Sequence, residues 1–165
     1  MAKPVETEKV VQAARNSIPL TIKTFTLPHE TEVYLEDILV VFLQELGQEK
    51  LKDPLAYCLR ELAVNAKKAN TKRVFFKEKG LDILNDQQYQ DGMKTFKQET
   101  LDNIGHYLEL QKEAGLFVKI IFQAKANRLN LYVTNNTEIT RAEQIRVFDR
   151  IAGFRVIDVT VHSRI

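Results

Sequence analysis

At 165 residues, with 44% hydrophobic and 28% charged side chains, the chain has the size and composition of one globular domain that needs neither disulfides nor metals to fold. Its single cysteine excludes an intramolecular disulfide, no apolar run approaches the roughly 18 residues of a membrane span, and Met1-Ala2-Lys3-Pro4-Val5-Glu6 lacks the apolar core of a signal peptide. A formal net charge of +2 does not call for a nucleic-acid partner, and the expected location is the reducing cytoplasm, away from the membrane.

Glu8 to Arg15 reads as a short helix in an N-terminal extension (1–17), placed to pack on the domain or on a second copy of it. Leu20-Thr21-Ile22-Lys23-Thr24-Phe25-Thr26-Leu27-Pro28 reads as a strand, Glu30 to Leu46 as an amphipathic helix, and His29 as a residue at that helix's start. A second helix begins at Asp53-Pro54. On it Leu55, Cys58, Leu59, Leu62, Ala66 and Ala69 form one apolar stripe at about 100° per residue, with Glu61, Asn65 and Lys68 grouped on one flank and Arg60 and Lys67 on the other. This spacing predicts that Cys58 is a small core residue and that Glu61, Asn65 and Lys68 border a cavity between helix and sheet. A tight Asn70-Thr71 connection leads to a predicted strand at Arg73-Val74-Phe75-Phe76. Lys67, Lys68, Lys72, Arg73, Lys77 and Lys79 make one local basic concentration; a solvated helix end accounts for most of them, with Lys68 set apart by the face it shares.

The polar stretch from Gly80 to Gly115 is a helical insertion (80–113), in which Phe96, Thr100, Leu101, Ile104 and Leu108 give an apolar face from about Met93 onward, after a loop or short helix at Asn85-Asp86-Gln87-Gln88-Tyr89. Strands at Leu116 to Phe122 and Leu129 to Thr134 are joined through Ala126-Asn127-Arg128, a hairpin connection. Thr140 caps a helix carrying Ile145, Phe148 and Ile151, with Glu143 at capping-box spacing. Arg155 to Val161 alternates as a final strand. The sum is an α+β fold, a two-layer sandwich with helices on one face of a mainly antiparallel sheet, in a single domain (1–165) whose parts after the extension are 20–76, the insertion, and 116–165.

Glu61-Leu62-x-x-Asn65-Ala66-x-Lys68-Ala69 resembles the N-box of the GHKL ATPases, the superfamily of histidine kinase-like ATP-binding domains. The strand and single helix before it are similar to the anti-sigma-factor and serine-kinase branch, so the resemblance covers residues 20–76 and implies an incomplete Bergerat-like fold. It implies a regulatory domain in signal transduction that binds ATP or ADP with Mg²⁺ and couples this to a protein partner. Asn65 would then be the Mg²⁺ ligand, offering a hard oxygen. Glu61 matches the carboxylate that polarises water in hydrolytic members or serves the acceptor in kinases, and Lys68 the cation that steadies phosphate. Asn135 stands where the Asp of an Asp-x-Gly-x-Gly box would accept from adenine. On spacing alone the first three are a polar helix flank, and Asn135-Asn136 is a turn after a strand.

The chain departs from that pattern beyond Asn135. Neither glycine follows it, and the six glycines, at 47, 80, 92, 105, 115 and 153, form no Gly-x-Gly phosphate loop, which marks a divergent or truncated member and puts turnover in doubt. No His, Cys or acidic cluster has zinc-ligand spacing. Two function classes stay open: the nucleotide-binding regulatory domain, and a non-catalytic interaction module, with a homodimer as one arrangement, that uses the Glu8 to Arg15 helix or the insertion as its contact surface.

Overall fold

The structure is a computed structural model that describes residues 6–145. Helix α1 (Thr7–Arg15) is followed by strand β1 (Leu20–Thr24), helix α2 (His29–Glu45), a 3-10 turn (Glu49–Leu51) and the long helix α3 (Lys52–Glu78). Helices α4 (Asp86–Asp102) and α5 (Ile104–Glu113) lead to strands β2 (Val118–Lys125) and β3 (Arg128–Asn135), and a further helix begins at 141–145. The expected final strand at 155–161, with Phe148 and Ile151, lies outside the described residues.

The three strands form one antiparallel sheet in the order β1-β2-β3. Thr24 pairs with Val118 and Leu20 with Phe122, while Val118 pairs with Asn135 and Lys125 with Arg128. Strict alternation sets the two faces. Val118, Ile120, Phe122 and Ala124 of β2 are buried and share a core with Val10 of α1, Ile38, Leu39 and Phe42 of α2, and Leu59 and Ala63 of α3. Phe42 stacks on Phe122 with ring centroids 5.7 Å apart. All three helices that meet the sheet therefore lie on one face of it, as the α+β reading expects.

Helix α3 corrects the sequence reading in two ways. Arg73-Val74-Phe75-Phe76 is its last turn and a half, not a strand, and no connection interrupts it at Asn70-Thr71. Thr71 donates its hydroxyl to the Lys67 carbonyl at 3.1 Å, within an unbroken helix. The β-prone run is helical because α4 and α5 close around it, giving a second core of Val74, Phe75, Phe76, Tyr89, Phe96 and Tyr107. Fully buried Gln111 of α5 donates to the Thr71 hydroxyl at 3.0 Å and to the Tyr107 carbonyl at 3.2 Å. Helix α4 also starts earlier than expected, at Asp86, because the Asn85 side chain caps it by accepting from the Gln88 N–H. Leu101 and Ile104, expected on the apolar face, are exposed: Leu101 lies about 140° round α4 from buried Phe96, and a break at Asn103 starts α5 at Ile104.

Candidate functional site

The residues of α3 buried before its last turns are Ala56, Leu59, Ala63 and Asn70. Relative to the expected stripe the helix is turned: small Ala56 and Ala63 let the sheet and α2 come close, and Cys58 is exposed instead of buried. Glu61, Asn65 and Lys68 are all exposed, roughly opposite Ala63, so they line the outer face of α3 and not a cavity between helix and sheet. None of the three exchanges a hydrogen bond with another side chain among the described residues. Beside them Lys67 is half-buried, and burial lowers its pKa against a weaker opposing pull from Glu32.

Asn135 arrives at this helix from the far end of the chain. The last residue of β3, it donates its side-chain amide to the Ala66 carbonyl at 3.3 Å, to Asn70 Oδ1 at 3.3 Å and to Thr137 Oγ1 at 2.9 Å. Thr137 Oγ1 also donates to Asn70 Oδ1 at 3.4 Å, while the Nδ2 of Asn70, itself fully buried, has no partner among the described residues. Strand end and helix are thus joined by one amide cluster at the residue next to Asn65. The Oδ1 of Asn135 takes no hydrogen bond among the described residues, so it is an acceptor with its donor side already committed.

Lys72 and Arg73 are not part of a solvated helix end. Lys72 Nζ lies 2.5 Å from Glu143 Oε1, and Arg73 Nη2 lies 2.8 Å from Oε2 of the same carboxylate. Arg73 also donates to the Glu138 carbonyl. The expected capping box is formed: Glu143 N–H donates to Thr140 Oγ1 at 3.2 Å and Thr140 N–H to Glu143 Oε2 at 3.0 Å. Burial on its own would raise the Glu143 pKa, but donors from Arg73, Lys72 and Thr140 outweigh it and bring it down to about 2. Sequence spacing finds the cap; its two cationic partners, some 70 residues earlier, carry no local signal.

Asn65 Oδ1 and the Glu61 carboxylate, one turn apart and unencumbered, are a donor pair that suits Mg²⁺, a cation that takes one or two protein oxygens and completes its shell with water and phosphate. Among the described residues no group of three or more His, Cys, Asp or Glu forms a self-sufficient metal cluster. A shallow groove of about 280 Å³ between α2 and α3 is lined by His29, Glu32, Val33, Glu36 and Arg60, and so lies apart from Glu61, Asn65 and Lys68. No described helix is long and apolar enough to cross a membrane.

No family model matches the chain. A protein of Treponema pallidum (strain Nichols), described as an uncharacterized protein, is 47% identical over 146 residues. That match covers 88% of this chain and spans 28% of the Treponema protein's length. No solved structure matches.

Proposed function

We propose that this chain is a regulatory domain of the histidine kinase-like ATPase type that binds ATP or ADP with Mg²⁺ on the outer face of α3 and passes the bound state to a partner protein. One observation carries the reading. The resemblance assigns the metal to Asn65, and the fold leaves Asn65 exposed with Glu61 and Lys68 on one face of α3, none of the three committed to another side chain among the described residues. In this reading Asn65 holds the metal and Lys68 steadies the phosphates, while Asn135 is clamped to Ala66 and buried Asn70 on the other side of the helix. Bound Mg²⁺ would neutralise phosphate charge. Glu61, one turn from Asn65, would orient a water or an acceptor hydroxyl.

A second reading, a non-catalytic interaction module, is favoured by the amide of Asn135. Its two hydrogens are shared among three internal acceptors, so the residue already serves as a structural clamp between β3 and α3. Calorimetric titration of the whole chain with ATP and ADP, with and without Mg²⁺, separates the two. Metal-dependent binding that Asn65→Ala abolishes while the circular dichroism spectrum is kept supports the nucleotide site; no heat at millimolar nucleotide overturns it in favour of the second.

A further inference from the structure

The sheet face turned away from the helices has a composition of its own. Strand alternation and register place Lys23, Lys119 and Thr134 in one cross-strand row, Thr21, Ile121 and Tyr132 in the next, then Gln123 beside Asn130 and Lys125 beside Arg128. The rings of Phe25 and Phe117 lie under Lys23 Nζ, 5.3 and 4.0 Å from it to their centroids, and so join the same face. None of the three strands contains an aspartate or glutamate. Among the described residues none of these four cations has a carboxylate partner, whereas Arg15, Arg60, Lys72, Arg73 and Lys79 on the helical side are all paired. Lys23 and Lys119 are moreover direct cross-strand neighbours, a like-charge placement that weakens a sheet unless an anion sits across it.

We propose that this face, exposed at Thr21, Lys23, Lys125 and Arg128 and half-buried between them, binds single-stranded nucleic acid. Lys119 and Lys125 stand six positions apart on β2, roughly 20 Å along the strand, so the cations stand at both ends of a track and not around one point. Between them are the Tyr132 ring, the Asn130 amide, the Thr21 hydroxyl and Gln123, whose amide donates to the Ser17 carbonyl at 3.1 Å and keeps its oxygen as an acceptor: an aromatic and polar surface suited to base stacking and base edges, flanked by charges suited to phosphates. An acidic protein helix fits the face less well, because among the described residues Ile121 is its only aliphatic anchor and a helix docks by burying a stripe of them. The near-neutral net charge conceals this surface, since most of the acidic side chains among the described residues sit on helices and none on the three strands.

The test is fluorescence anisotropy with a labelled oligo(U) of about 12 nucleotides and its DNA counterpart, on the whole chain at about 50 to 200 mM salt, where counterion release is read. Micromolar binding is expected, weakened about tenfold or more by Lys23→Glu with Lys119→Glu, weakened by Tyr132→Ala, and unchanged by Lys97→Glu on exposed α4. Should the charge-reversed pair fail to fold, Lys125→Gln with Arg128→Gln at the hairpin end reads the same term. No binding at about 100 μM protein at the lowest salt, equal loss in Lys97→Glu, or equally tight binding of a duplex or of polyglutamate overturns the proposal. Titration with Mg²⁺-ATP is expected to be unaffected by these variants, which keeps the two surfaces distinguishable.

Discussion

A Cβ added to Gly92 would fall 2.6 Å from Cζ and 2.9 Å from Cε1 of Phe76. That ring cannot yield, being 1% exposed and stacked on Tyr89 at 5.7 Å between centroids. Gly92→Ala is therefore expected to destabilise by about 1–3 kcal/mol, despite the better helix propensity of alanine, seen as a lower urea midpoint at unchanged slope. Glu143 makes a pH-dependent contribution whose sign follows from its partners. Its folded pKa of about 2 lies below the ordinary 4.5, so the contact adds stability at neutral pH and loses it as pH falls from about 4.5 towards 2. The contribution is at most about 3 kcal/mol. Thermal melts across that range are expected to show a steeper fall for the parent chain than for Glu143→Gln, and the two curves should converge at the acid end.

At the scale of elements, the hairpin carries a correctable strain. Ala126 and Asn127 form its two-residue turn with φ of 50° and 59°, the primed geometry that matches strand twist. Asparagine tolerates that region, but alanine pays about 1–2 kcal/mol. Ala126→Gly is expected to raise the melting temperature by about 2–4 °C. The hairpin, β1, α2 and the Thr140 cap were legible in the sequence because each is written in consecutive residues: alternation, helical period, a capping pair. The last turns of α3 were not. Arg73 to Phe76 is an apolar β-branched and aromatic run, which a buried strand and a buried helix share, and α4 and α5 settle the matter from more than a dozen residues away. The rotation of α3 was misread because size decided it: Ala56 and Ala63 face the core where closeness to α2 and the sheet matters more than side-chain bulk. Of the candidate site, the grouping of Glu61, Asn65 and Lys68 on one helix face was legible, but not its outward aspect. The clamp from Asn135 to Ala66 and Asn70 depends on sheet topology and leaves no trace in local spacing.

For the whole molecule, the decisive fact is that one helix belongs to two cores. The first half of α3 supplies Leu59 and Ala63 to the sheet core, and its second half supplies Val74, Phe75 and Phe76 to the core built with α4 and α5. Helix formation is cooperative along its length, so neither core can open without fraying the segment the other needs. The insertion is thus coupled to the domain, although the sequence marks it off as a separate polar stretch. Phe75 tests this because it is fully buried and packs on Phe76, Phe96 and Tyr107 with centroids 5.3 to 5.8 Å apart. Phe75→Ala is expected to cost about 3–5 kcal/mol. With no tryptophan in the chain, tyrosine fluorescence in a background where Tyr34, Tyr57 and Tyr132 are replaced by phenylalanine reports on buried Tyr89 and Tyr107 of the second core, while far-ultraviolet circular dichroism follows all the helices. In the variant both midpoints should fall together and remain coincident. A fluorescence midpoint that fell alone, leaving the dichroism transition in place, would show that α3 divides into two independent units and that the second core is an appendage.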